Sequence, residues 1–294
     1  MCAAGACYGF AIPLVRTIYA QGLTVSEIMA FQYFAGVIAL VIIAVLFSRH
    51  AVSLKDCFRL LGVGVLASGV SFFYYCAIDL LPSATAVTLL FQFVWMGVVL
   101  QTIRERTLPH TETVLSVVVI MLGTILATGV LEQDAHAATS LDPLGILCGL
   151  LSAVFYTAFL FTSGKTATHL PALNRTLFTT TGSLIVALVL CPTFFTGTLA
   201  PHLADPGLLL LTLVLGLTGI VLPVVLIASS SPHLPSSISN IMASTELPSG
   251  IICAWLFMGD AISPFIALGV ILILAGIVLS QRRDLRAYLK KTPN

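Results

Sequence analysis

Charged residues are scarce in this sequence. Only 9% of its 294 residues are Asp, Glu, Lys or Arg, while 58% are apolar. An average soluble domain carries about 25% charged residues. So few charges cannot cover the surface of a soluble globular protein, and the same scarcity excludes a nucleic-acid binder and a disordered chain. The composition instead predicts a membrane protein with many spanning helices and short loops.

The common signatures of membrane-bound enzymes and pumps are also missing. The seven cysteines contain no CxxC pair and the six histidines match no metal-site spacing, so we expect reduced cysteines, no metal and no other cofactor. No GxxxxGK[ST] phosphate loop is present, which excludes a P-loop motor in this chain. An intramembrane enzyme would need paired catalytic groups, and the apolar segments offer one isolated acid. We therefore expect a protein that is not an enzyme.

Ten apolar segments are the predicted transmembrane helices, and the basic residues orient them. If the N-terminus is cytoplasmic, twelve of the thirteen Lys and Arg residues lie at cytoplasmic ends, as the positive-inside rule requires. Residues 1–20 lack the basic start of a signal peptide and count as the first span. We thus predict a multi-pass plasma-membrane protein with both termini in the cytoplasm. The predicted spans are 2–20, 27–47, 58–80, 84–101, 112–130, 142–163, 174–194, 207–229, 235–257 and 261–280.

The two halves of the chain repeat each other weakly. An offset of 153 places Leu81-Pro82-Ser83 over Leu234-Pro235-Ser236. An offset of 140 places the GxxxG motif of Gly5 and Gly9 over that of Gly145 and Gly149. GxxxG motifs let membrane helices pack closely, within one chain or between chains, so they do not indicate an oligomeric state.

Each half holds five spans, an odd number, so two homologous halves must insert in opposite orientations. The predicted fold is therefore all-α, with ten transmembrane helices arranged as two inverted five-helix repeats. Inverted repeats around a central site are typical of secondary transporters. The predicted parts are a first repeat (1–130), an outward linker (131–141), a second repeat (142–281) and a basic cytoplasmic tail (282–294).

Residues 244–248 and 254–260, followed by Gly269, form a recognisable pattern in the last quarter of the chain. This pattern is similar to the closing pattern of the EamA-type transporters of the drug/metabolite transporter superfamily, which the chain resembles over nearly its whole length. Two departures are Asp260, where the family usually has Glu, and Arg104-Glu105-Arg106, where a Gly-Glu pair is expected. The resemblance implies ten helices in two inverted repeats that move small metabolites.

Glu246 is the principal candidate for the transport site. It lies about ten residues into the ninth span, which places it about 15 Å deep in the bilayer. An acid at that depth costs about 2.5–3.5 kcal/mol to insert, so we expect it to face a cavity or a partner. Proton coupling, binding of a substrate amine, and a structural hydrogen bond beside Pro248 are all compatible with the sequence.

The repeat alignment selects the residues expected across the cavity from Glu246. Phe93 occupies the equivalent position in the first half, and Gln92 aligns with Thr245. Trp95 lies one turn from Gln92 and is either a second cavity residue or a lipid-facing one. We predict Gln92 and Trp95 on the wall opposite Glu246.

Arg16 is the one basic residue of a predicted span that does not lie at a cytoplasmic end. Its side chain either extends to the membrane interface or binds a substrate carboxylate. Its repeat counterpart at an offset of 140 is Tyr156, a further candidate for the site.

Other polar and aromatic residues of the spans are assigned structural roles. Tyr74, Tyr75 and Trp255 lie near the outer ends of their spans, where an interfacial aromatic belt is expected; the alternative is that they line an apolar pocket with a few polar groups. The amides of Gln32 and Asn240 are expected to fix contacts between helices by hydrogen bonding.

Together these features predict a secondary active transporter, and specifically an exporter of small polar or amphipathic metabolites such as amino acids. The expected partners are a small-molecule substrate, membrane lipid and, if Glu246 couples transport, protons. A facilitative carrier resembling a channel, or a transporter-like sensor without proton coupling, is the alternative.

Overall fold

The structure is a computed structural model, and it describes residues 1–19, 21–47, 52–81, 83–106, 108–129, 142–190, 205–259 and 262–291. Within these ranges the chain is helical apart from short connections, and no strand occurs in them. This agrees with the all-α prediction. The first half contains α1 (Cys2–Tyr19), α2 (Val25–Phe47), α3 (Leu54–Leu80), α4 (Ser83–Leu90), α5 (Phe93–Glu105) and α6 (Thr111–Ala127).

The second half follows the same order of elements. It contains α7 (Pro143–Ser163), α8 (Ala172–Leu190), α9 (Pro206–Gly216), a π-helical turn (Leu217–Val221), α10 (Leu222–Ser230), a 3₁₀ turn (Ser231–His233), α11 (Ser236–Ala243), α12 (Glu246–Met258) and α13 (Pro264–Lys291). The helix α13 runs on to Lys291, so most of the predicted basic tail continues the last helix.

Seven helical segments in the described ranges are long and apolar enough to cross a membrane. Three further apolar helices are shorter: Cys2–Val15, Thr111–Ala127 and Pro264–Ser280. The ten-span topology depends on these three and stays a prediction.

Polar residues at several helix starts explain where those helices begin. The Ser53 hydroxyl accepts a hydrogen bond from the Asp56 backbone N–H (3.2 Å) at the start of α3. The carboxylates of Asp142 and Asp205 accept the N–H groups of residues two positions later, each at 2.8 Å. Each of these two acids precedes a proline at the first helical position, where the missing N–H is not needed.

Two of the predicted spans are interrupted at their middle. The fourth span breaks at Phe91-Gln92, between α4 and α5, and the ninth breaks at Ser244-Thr245, between α11 and α12. The offset of 153 that aligns the two halves also aligns these breaks. Pro248 accounts for the second break, because proline has no N–H to donate to the residue four positions earlier. The sequence predicts both spans as continuous, and the two breaks correct that prediction.

Hydrogen bonds from two other spans hold the start of α5, immediately after the first break. The Phe93 carbonyl accepts a bond from Asn240 Nδ2 (2.8 Å) and another from Thr157 Oγ1 (3.3 Å). Asn240 is fully buried, and Gly97 leaves it room, since a Cβ on Gly97 would come within 2.8 Å of the Asn240 Cβ. The predicted helix contact of Asn240 is therefore a bond between the two interrupted spans.

The helix pairs keep their pattern when the two halves are exchanged. The contact between α1 and α12 corresponds to the contact of α7 with α4 and α5. In the same way, the contact between α3 and α7 corresponds to the contact between α10 and α1. Three pairs correspond to themselves under this exchange: α2 with α8, α5 with α11 and α6 with α13.

The two aligned GxxxG motifs make close contacts within the chain. A Cβ on Gly9 would come within 2.5 Å of the Gly250 nitrogen, so α1 approaches α12 at its backbone. A Cβ on Gly149 would come within 2.7 Å of the Leu89 Cβ on α4. These glycines therefore allow the close packing of α1 on α12 and of α7 on α4.

Arg175 lies at the start of α8 and is buried within the protein. Only 3% of this residue is accessible. Its guanidinium donates to the carbonyls of Ser163, Thr166 and Ala228. These carbonyls lie at the end of α7 and near the end of α10, where free carbonyls and the helix dipole favour a cation. Arg175 thus ties two helix ends together.

Closely spaced glycines on α3 provide a test of this packing. A Cβ on Gly64 would overlap the Thr179 carbonyl and come within 2.7 Å of the Ser183 nitrogen on α8. We expect Gly64→Ala to lower the free energy of unfolding by about 1–3 kcal/mol, because the helices must separate. Melting of the purified protein in detergent measures the effect.

Gly62 on the same helix is the matched control, because nothing lies within 4 Å of its Cβ position. We expect Gly62→Ala to leave the melting temperature unchanged or to raise it, since alanine favours helix. Equal melting of the two variants would contradict the close approach of α3 and α8.

Candidate functional site

A cavity of about 520 Å³ lies between the two halves of the chain. Helices from both halves line it, with α1, α2 and α3 from the first half and α7, α8 and α12 from the second as the main contributors. Its wall is largely apolar and carries a small set of polar groups, as is typical of sites that bind small molecules.

Glu246 lines this cavity from the first turn of α12, immediately after the break in the ninth span. The Tyr156 hydroxyl on α7 donates a hydrogen bond to its Oε2 at 3.1 Å. Tyr156 is itself only 4% exposed, and its ring centroid lies 4.5 Å from that of Phe93. Three of the predicted site residues are therefore in contact with one another.

Glu246 is the one charged residue among the described residues that line the cavity. A carboxylate within the membrane favours a nearby cation, because burial in a medium of low polarity is costly for an isolated charge. Tyr156 supplies one hydrogen bond but no charge. A proton or a cationic group of a substrate can supply the remaining compensation.

Tyrosines form much of the polar lining. Tyr8, Tyr33, Tyr74 and Tyr75 line the cavity together with Tyr156. Tyr74 and Tyr75 therefore line a pocket, the alternative to the interfacial belt that the sequence favours. They belong to the face of α3 that meets the cavity, whose lining positions recur at helical spacing from Ala67 to Ile78.

Gln92 and Trp95 do not line the cavity, contrary to the prediction that they form the wall opposite Glu246. Trp95 is 39% exposed, and its Nε1 donates to Gln92 Oε1 at 2.8 Å. The Gln92 amide nitrogen donates in turn to the Thr88 carbonyl (2.9 Å). The break at Phe91-Gln92 changes the direction in which these side chains point, and the two satisfy each other outside the cavity.

The remaining predicted residues do not line the cavity, except for Arg16, whose side chain is not among the described residues. Phe93 is fully buried beneath Tyr156. The Thr245 hydroxyl donates to the carbonyls of Cys2 (3.0 Å) and Met242 (2.9 Å), which fixes α1 against the second break. The backbone of Arg16 belongs to α1, but its side chain lies outside the described residues. Trp255 is 52% exposed, as expected for a residue on the outer surface.

The sequence model of the EamA-like transporter family matches residues 1–129 and 143–281. The chain belongs to the EamA-like transporter family.

Solved structures agree on the fold of this EamA-like protein. One crystal structure, named only as that of a protein, can be superposed on this chain with a TM-score of 0.77 and 15% sequence identity. The superposition covers 97% of both chains. At this identity the likeness concerns the fold. No curated protein matches the sequence.

Sequence reasoning missed the uncharged polar residues of the EamA-like cavity. Gln32, Ser71, Thr179, Thr180 and Ser183 line it from α2, α3 and α8. Hydroxyl and amide side chains occur throughout membrane helices, so residue type alone does not separate them from packing residues. Only Gln32 was considered, as a contact between helices.

The contact between Tyr156 and Glu246 in this EamA-like protein can be tested by a double-mutant cycle. We expect Tyr156→Phe to lower the free energy of unfolding by about 0.6–1.7 kcal/mol, the usual range for a hydrogen bond between membrane helices. In a Glu246→Leu background the same substitution should cost nothing further, because the acceptor is gone. Reversible unfolding in mixed micelles measures both values, and equal losses in the two backgrounds would contradict the bond.

Proposed function

We propose that this EamA-like protein is a secondary active transporter that exports small polar or amphipathic metabolites, such as amino acids. The observation that carries the proposal is the cavity between the two halves, with the Glu246 carboxyl on its wall beside a broken helix. Broken helices at a central cavity are where transporter backbones and side chains meet substrate.

Transport proceeds by alternating access between two inverted five-helix repeats, residues 1–130 and 142–281. The two stretches matched by the family, 1–129 and 143–281, support this division. Further support comes from the two breaks at equivalent positions and from the helix pairs that exchange between halves. Ten spans follow if the three shorter apolar helices also cross the membrane.

The chain is placed in the plasma membrane with both termini in the cytoplasm. The distribution of Lys and Arg supports this orientation. In that orientation Arg175 joins α7 to the end of α10 on the cytoplasmic side.

Glu246 carries either a proton or a substrate amine through the cycle. Both roles supply the positive charge that a buried carboxylate requires, because Glu246 has a hydrogen bond from Tyr156 but no cation among the described lining residues. In an exchange mechanism the two ligands compete for this carboxyl, so that inward movement of protons drives outward movement of substrate.

The coupling role predicts a specific defect in Glu246→Gln. A thermal-shift screen of amino acids, nucleosides and cationic drugs first identifies a ligand, because ligands raise the apparent stability of the folded state. Flux of that ligand is then measured in liposomes with and without an imposed pH gradient. We expect the gradient to accelerate flux by the unmodified protein and to have no effect on the variant, since a glutamine does not titrate.

Glu105→Gln is the matched control, since Glu105 lies at the exposed end of α5 outside the cavity. It should retain the response to the gradient. Flux by Glu246→Gln at the unmodified rate under every gradient would exclude a coupling role. Flux that does not saturate with ligand would instead favour the channel-like carrier.

A further inference from the structure

A groove separate from the central cavity opens between the start of α3 and the end of α7. Arg59, Gly62 and Leu66 line it from α3, and Lys165 lines it from the connection that follows α7. None of the described residues that line this groove also lines the central cavity. Both helix ends lie on the cytoplasmic side in the proposed orientation, so the groove opens at that surface of the membrane.

The groove changes from charged to apolar with depth. Arg59 and Lys165 are exposed at its mouth. Leu66 lies two turns after Arg59, on the same face of α3 and about 10 Å further along the helix. Gly62 lies between them, and no described atom comes within 4 Å of its Cβ position, so the space beside α3 is open there. A ligand in the groove therefore meets cations first and an apolar wall beyond them.

A third cation approaches Lys165 from the end of α5. The Lys165 Nζ lies 3.7 Å from the centroid of the Phe161 ring, and the Arg104 guanidinium carbon lies 5.5 Å from the same centroid. The face of an aromatic ring attracts cations, so Phe161 holds both side chains near the end of α7. We call Arg59, Arg104 and Lys165 the basic cluster.

The positive charge of the basic cluster is only partly neutralised. Asp56 lies 3.9 Å from Arg59, whereas no carboxylate of a described residue lies within 4 Å of the charged nitrogens of Arg104 or Lys165. Burial and the Arg104 guanidinium lower the pKa of the Lys165 amine, and the Glu105 carboxylate offsets this shift only in part. The cluster therefore favours an anion beside it.

Hydrogen bonds fix the backbone that carries Lys165. The Arg175 guanidinium donates to the carbonyls of Ser163 and Thr166, on either side of Lys165. The Lys165 N–H itself donates to the Thr162 carbonyl at 3.0 Å. A preformed site loses little conformational freedom when a ligand binds, so this side of the groove is ready for one.

We propose that the groove and the basic cluster bind an anionic phospholipid. Its phosphate lies between Arg59 and Lys165, Arg104 adds to the positive potential, and an acyl chain follows α3 past Gly62 toward Leu66. Basic pockets between membrane helices on the cytoplasmic side are suited to anionic headgroups. The apolar wall and the position at the membrane surface favour a lipid over a soluble anion. The proposal goes beyond transport and uses only the proposed orientation.

Phosphatidylglycerol and phosphatidylcholine with identical acyl chains are suitable probes, because only the first has a net negative charge. We expect the unmodified protein to bind phosphatidylglycerol about tenfold more tightly. Arg59→Gln and Lys165→Gln should each weaken this binding about fivefold, the effect of one cation near an anionic headgroup. Native mass spectrometry of the purified protein, titrated with each lipid in detergent, measures the affinities. Equal binding of the two lipids to the unmodified protein would overturn the proposal.

Arg106→Gln is the matched control. It removes the same charge from the end of α5, but among the described contacts Arg106 neither lines the groove nor meets Phe161. This variant and Lys165→Arg, which keeps the charge, should both retain the preference. The substituted side chains are exposed, so melting without added lipid should not change. Equal weakening by Arg106→Gln and Lys165→Gln would show unspecific attraction and overturn the site.

Gly62→Leu and glycerol phosphate separate a lipid from a soluble anion. The leucine fills the groove without removing a cation, so we expect it to weaken phosphatidylglycerol binding about tenfold. Glycerol phosphate carries the phosphate without acyl chains and should not displace the lipid. Displacement by glycerol phosphate, or full lipid binding by Gly62→Leu, would overturn the lipid proposal. None of these measurements involves flux, so their outcome leaves the transport function to be decided in liposomes.

Discussion

The hydrogen bond from Asn240 Nδ2 to the Phe93 carbonyl joins the two interrupted spans at the centre of the molecule. A carbonyl oxygen has two lone pairs, so that of Phe93, at the start of α5, accepts this bond in addition to the bond within its own helix. The Asn240 amide needs a partner inside the protein, because lipid offers none. Gly97 leaves room for the asparagine. The bond holds Phe93 beneath Tyr156, and Tyr156 in turn reaches Glu246. The position of the carboxyl in the cavity therefore depends on how the two interrupted spans are joined.

Elsewhere in the protein, other side chains join helices by donating hydrogen bonds to backbone carbonyls. Arg175 donates to three carbonyls near the ends of α7 and α10, and Thr245 donates to the Cys2 carbonyl at the start of α1. These contacts tie helices of one half to helices of the other or to distant parts of the same half. In the proposed rocking of the two repeats, helices that are joined by these hydrogen bonds move together unless the bonds break.

Sequence reasoning succeeded where the property is local to one helix. Most helix ends lie within a few residues of the predicted spans, because hydropathy and capping residues act over short stretches; the exception is α13, which continues to Lys291. Pro248 signalled one break, but Phe91 and Gln92 contain no proline or glycine, so the other break had no comparable signal. The failure to place Gln92 and Trp95 follows from that break, since a change of helix direction turns the side chains that come after it. The belt position favoured for Tyr74 and Tyr75 was wrong for a different reason, because depth in the membrane does not reveal which face of a helix meets the cavity.

The membrane class, the family and the position of most helices were determined by the sequence alone. Only the tertiary structure decided that the Tyr156 hydroxyl meets Glu246 and that Arg175 is buried. The physical reason is that lipid selects for apolar composition along each helix, which the sequence records directly. Which residues meet in the cavity depends instead on the rotation of each helix about its axis and on the neighbours against which it packs.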